Sequence, residues 1–155
     1  MSETASAPNA APAQRREFRN LNLFADILGY RMPLAGWVSI LHRISGALLF
    51  VLLPFIIWLL DVSVSSEHSF GRLAALYTTG LWFIPAWFIK LVTLGLIWAY
   101  LHHFCAGLRY LWMDATHGMT KSFGRSSSAA VLIVSLLLTV ILGLKLFGVY
   151  GEIFK

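Results

Sequence analysis

The sequence predicts an all-α membrane protein, three transmembrane helices in an up-down bundle behind a short N-terminal tail. Hydrophobic residues make up 58% of its 155 positions and charged residues only 12%. Typical globular chains carry roughly 45–50% and about 25%, so too little charge is left to solvate a surface. The mean hydropathy of +0.73 also excludes an intrinsically disordered chain, since disorder needs low hydrophobicity and high net charge. The apolar residues gather into three runs, about 37–60, 88–112 and 129–150. Each exceeds the ~20 residues that cross ~30 Å of hydrocarbon at ~1.5 Å per residue.

Residues 1–13 are rich in Ala, Pro and Ser and lack the apolar core of a secretory signal. Glu3, Glu17 and two prolines argue against an Arg-rich transit peptide, which favours a bacterial inner membrane over import into mitochondria. Residues 1–33 thus form a cytoplasmic tail and interfacial lead-in, and residues 34–155 the membrane domain. The first run is uncharged after Arg43. Asp61 to His68 (DVSVSSEH) is a polar turn, residues 70–80 suit a short interfacial helix, and Pro85 marks the start of the second run. Met113 to Ser128 reads as a loop by composition. The third run tolerates Lys145 because a long side chain can snorkel to the interface.

Cations sort by side. Arg15, Arg16, Arg19 and Arg31 precede the first run, while Arg109, Lys121 and Arg125 lie at or after the end of the second. The opposite side holds Arg72, Lys90 and Lys155. The positive-inside rule therefore places the N-terminus in the cytoplasm. It also accounts for the basic balance better than nucleic-acid binding does, because the cations are scattered between apolar runs. Cys105 stands alone, which excludes an internal disulfide and a Cys cluster. An odd number of spans without internal repeat suits a self-contained transporter poorly.

Polar residues inside a membrane helix are costly and therefore point to function. In SILHRISG, Ser39, His42, Arg43 and Gly46 recur at i, i+3, i+4 and i+7 and share a face. Two readings fit: a binding face with a glycine for close approach, or an interfacial start in which Arg43 snorkels and Ser39 bonds back to a carbonyl. In YLHHFCAGLRYLWMD, His103, Gly107, Tyr110 and Asp114 share a stripe that Gly95 and Ala99 extend. Small residues around a histidine suit a flat macrocycle whose iron takes an imidazole nitrogen. The bland reading is a histidine hydrogen-bonded to a neighbouring helix. His102 points about 100° away and is interfacial or packing.

SILHRISG at the start of a first helix, followed by H-x-x-x-G-L-R-Y-L-x-x-D in a second, resembles the cytochrome b membrane-anchor subunit of succinate dehydrogenase, respiratory complex II. The similarity runs from about Arg16 to Asp114. It implies a subunit that is not catalytic alone and that helps pass electrons from succinate to ubiquinone. His103 would be one axial ligand of haem b, the other coming from a second, smaller membrane subunit. Ser39 and Arg43 would line the ubiquinone site, and His42 would approach a haem propionate. Arg109 and Asp114 match a helix-end pair near the iron-sulfur subunit. Tyr110 departs from members that carry a second histidine. The flavoprotein and iron-sulfur subunits are the implied soluble partners, since this chain has no flavin fingerprint and no Cys cluster. The anchor of a fumarate reductase and a cofactor-free structural anchor are the alternatives.

Overall fold

A computed structural model of the chain describes residues 32–117 and 120–148. Most of the tail expected over residues 1–33, and the expected end of the third run at 150, lie outside the described residues. Four helices follow in order: α1 (Leu34–Ser65), α2 (Glu67–Leu76), α3 (Ala86–Thr116) and α4 (Lys121–Leu146). The described residues contain no strand. α1, α3 and α4 are each long and apolar enough to cross a membrane, so the all-helical, three-span architecture holds.

The boundaries have local causes. α1 and α3 both start behind a proline, Pro33 and Pro85, whose fixed φ and missing N–H suit a helix start. Pro54 sits inside α1 without ending it. α2 opens on a reciprocal cap: Ser69 N–H donates to Ser66 Oγ and Ser66 N–H donates to Ser69 Oγ, each at 3.1 Å. Between α2 and α3 a two-residue turn is closed by Leu81 N–H to Ile84 O (2.8 Å) and Ile84 N–H to Leu81 O (2.6 Å). Gly80, at φ 85°, is required there, because a β-carbon would run into the Ile84 carbonyl.

The helices outrun the apolar windows. α3 continues to Thr116, where His117 adopts a left-handed conformation (φ 51°) and its N–H donates to Met113 O. α4 begins at Lys121, within the stretch that composition marks as loop. Thr120 caps it by accepting from Phe123 N–H at 3.3 Å. Ser128 Oγ donates to the Gly124 carbonyl at 2.6 Å, so hydroxyls that compete with a helix in water are here satisfied by the helix itself.

Packing is inverted relative to a soluble bundle. Phe50 is 78% exposed and many other large apolar side chains also face outward. The seam where α3 meets α1 and α4 is built from small and polar groups. Ala99, His102, Ala106 and Arg109 line the α3 face, and Ser128, Val131, Ser135, Thr139 and Gly143 the α4 face. Without a hydrophobic drive between helices in lipid, small residues that allow close approach and polar groups with partners hold the seam.

Candidate functional site: a histidine pair between two membrane helices

The site forms where the first half of α1 crosses the second half of α3. His42 and His103 lie 61 positions apart in the chain, yet their rings stack at 4.3 Å between centroids and 12° between planes. Gly46 makes this approach possible. A β-carbon on it would lie 2.7 Å from His103 Cε1 and 3.2 Å from Nδ1, so the imidazole occupies the space of a missing side chain. On the facing helix, a β-carbon on Gly107 would lie 3.7 Å from His42 Nε2, an ordinary contact, so the approach does not require a glycine there. The phenol ring of Tyr110 tilts against His42 at 5.2 Å.

Hydrogen bonds fix the His103 ring. Its Nδ1 lies 3.1 Å from the His42 carbonyl and 3.3 Å from Ser45 Oγ. Ser45 in turn donates to the same carbonyl at 3.0 Å. A carbonyl only accepts, so in the neutral ring Nδ1 carries the proton and Nε2 keeps its lone pair. Nε2 has no hydrogen-bond partner among the described residues. A histidine that donates one ring N–H to a backbone carbonyl and offers the other nitrogen is the arrangement seen at metal centres. The chemistry of this donor set fits an iron that His103 Nε2 would hold.

Beside the pair, an open apolar groove of about 520 Å³ runs between α1 and α3, with Ser45, Leu48, Gly95 and Ala99 among its lining. Gly95 and Ala99 belong to the small-residue stripe that leads to His103. Ser39 is half-buried and Arg43 exposed on α1; neither side chain has a hydrogen-bond partner among the described residues. Asp114 is exposed at the end of α3.

Of the two readings of His102, packing holds and interfacial does not: it is fully buried in the seam, its ring stacked on Trp98 at 5.3 Å. Both of its ring nitrogens, and Trp98 Nε1, lack partners among the described residues. Ser45, which the motif reading passes over, is the hydroxyl that meets His103. A serine one position before the glycine was the available signal. Among the described residues no group of three or more His, Cys, Asp or Glu side chains gathers, so any metal here takes at most a part of its ligands from this region.

Fold and site together define a three-span helical membrane protein with a tightly packed intramembrane histidine pair. The chain belongs to the succinate dehydrogenase/fumarate reductase transmembrane subunit family, whose pattern it matches over residues 17–142. It is 34% identical over 125 residues to the succinate dehydrogenase cytochrome b556 subunit of Coxiella burnetii, covering 81% of this chain and 94% of that protein. It is 33% identical over 112 residues to the subunit of the same name from Paracoccus denitrificans, covering 72% and 81%. The Rickettsia felis subunit of that name shares 26% over 113 residues.

Proposed function

We propose that this chain is the haem b-binding membrane anchor of a succinate dehydrogenase. It holds a flavoprotein and an iron-sulfur subunit at the cytoplasmic face of a bacterial inner membrane. The observation that carries the reading is the His103 imidazole, whose Nδ1–H is tied to the His42 carbonyl while Nε2 is left for a metal. The relatives' cytochrome name supports it from a separate direction.

His103 Nε2 would hold the iron, and haem bound there would supply one-electron redox chemistry within the membrane. A second ligand would come from another, smaller membrane subunit. His42 cannot serve, because its ring lies face to face with His103 at 4.3 Å and leaves no room for a macrocycle between them. His42 instead stands beside the site as a donor for a propionate, an anion that needs compensation in low dielectric. Ubiquinone is the substrate of the assembled enzyme. Its reduction consumes two electrons and two protons, and its carbonyl oxygens need donors. Ser39 and Arg43, one turn apart on α1, supply a hydroxyl and a guanidinium that the described residues leave free. The N-terminus is cytoplasmic in this reading, following the distribution of Arg and Lys.

The test is a visible spectrum of the complex purified in mild detergent. Wild type shows b-type absorption, and His103→Ala abolishes or strongly shifts it while the subunits still co-purify. Unchanged absorption in that variant removes His103 as ligand, and a colourless wild-type complex leaves a structural anchor only.

A further inference from the structure

The start of α4 collects positive charge that no acidic side chain among the described residues pairs with. Arg109 of α3 is only 8% exposed. Its Nε donates to Ser127 Oγ at 2.9 Å and a terminal nitrogen donates to the Gly124 carbonyl at 3.4 Å. Its guanidinium carbon lies 5.3 Å from the Tyr110 ring centroid. Both hydrogen-bond partners are neutral, so among the described residues only two of the five N–H donors are met and the charge is not balanced. Lys121 is the first residue of α4, whose first turn holds no acid. A cation there sits at the positive end of the helix dipole, where a carboxylate is favoured.

Both cations line one open pocket of about 350 Å³ with Thr120, Phe123, Ala35 and Met113, and no acidic side chain lines it. Thr120 Oγ1 accepts from Phe123 N–H, which leaves its own proton to donate. A buried cation is expensive unless paired. Two cations and a helix N-terminus around one cavity are a receptor for an anion. The chemistry of that anion is narrowed by what adjoins it. A second, apolar groove of about 400 Å³ shares Arg109 and Phe123 with the first and continues along Leu108, Trp112, Val131 and Val134 toward the middle of the spans. A polar cationic pocket at the helix ends, continuous with an apolar groove along them, fits an amphiphile.

We propose that this surface binds an anionic membrane phospholipid. Its phosphate sits between Arg109 and Lys121, with the Thr120 hydroxyl as a further donor, and an acyl chain lies in the groove between α3 and α4. Basic pockets between spans are known to recognise such headgroups.

The test uses the full-length chain with the subunits that co-purify with it, equilibrated in mixed micelles of phosphatidylglycerol and phosphatidylcholine at equal amounts. Native mass spectrometry then counts the retained lipids. Wild type retains phosphatidylglycerol several-fold over phosphatidylcholine, and Lys121→Glu brings the ratio close to that of the bulk. The substitution favours α4 itself, because an acid replaces a cation at the helix start, so lost lipid is not explained by lost helix. Lys121→Gln gives a partial loss and serves if the charge reversal fails to assemble. Excess inorganic phosphate should leave the lipid preference intact. Displacement by phosphate would assign the pocket to the free anion and overturn the lipid. A wild-type ratio near one, or equal ratios in wild type and both variants, would overturn the site altogether.

Discussion

At the residue scale, the histidine pair depends on Gly46. The His103 ring fills the volume where a side chain would stand, and it cannot retreat without giving up the His42 carbonyl and Ser45. Gly46→Ala therefore forces a rigid, hydrogen-bonded ring to move, at a cost of about 1–3 kcal/mol, typical of overpacking. Gly143→Ala is the natural comparison. Its β-carbon would lie 2.8 Å from Leu94 Cδ1, the end of a flexible side chain that can turn aside. Thermal unfolding in detergent should show a clear loss for Gly46→Ala and a small change for Gly143→Ala, and only the former should disturb the visible spectrum. Equal effects would mean that the ring is not held as described. His42, Gly46, His103 and Gly107 were legible in the sequence because helical spacing alone puts each set on a face. Ser45 was not, and His102 was left between packing and the interface, because both depend on how far one helix is rotated toward its neighbour, and apolar runs exposed on several sides do not encode that angle.

At the scale of elements, the least legible stretch was the start of α4. KSFGRSSS reads as a loop in a water-soluble setting, where Ser and Gly disfavour helix interiors. In the folded chain, Thr120 caps the helix, and Ser128, Ser135 and Thr139 return their hydroxyls to its own backbone. The helix is then retained by tertiary packing rather than by propensity. Arg109 is part of that packing: through Ser127 Oγ and the Gly124 carbonyl it ties the last turns of α3 to the first turns of α4. A hydrogen bond to a charged group contributes about 1.5–3 kcal/mol, and the open groove beside Arg109 lowers what is expected here to about 1–2 kcal/mol. Ser127→Ala should lower the unfolding temperature accordingly. Ser126→Ala, which removes an exposed hydroxyl bonded only to the Phe123 carbonyl, should not. Matching unfolding temperatures for the two variants would show that the α3–α4 tie carries no stability.

At the scale of the whole molecule, the described residues turn most of their apolar surface outward. Large apolar side chains cover the outside of all three spans while the seam is small and polar, which suits spans that face lipid. The quinone assignment belongs to this scale, because Ser39 and Arg43 lie on an α1 face that the described residues leave without hydrogen-bond partners. If that face closes on ubiquinone in the assembled enzyme, losing one donor should cost about 1.5–3 kcal/mol of binding in the reacting complex, the range for hydrogen bonds to charged groups. That corresponds to roughly a ten- to hundredfold fall in rate. Arg43→Leu should reach this range and Ser39→Ala, which removes a neutral donor, should fall at or below its lower end. In the proposed assembly electrons would pass through the soluble subunits before reaching this chain, so succinate oxidation with an artificial dye acceptor should be nearly unchanged in both variants. The comparison separates three outcomes by measuring quinone and dye reduction on the same preparation. Loss of quinone reduction alone places both donors at the quinone, loss of both activities means that the complex has failed to assemble, and full quinone turnover in both variants removes Ser39 and Arg43 from the site.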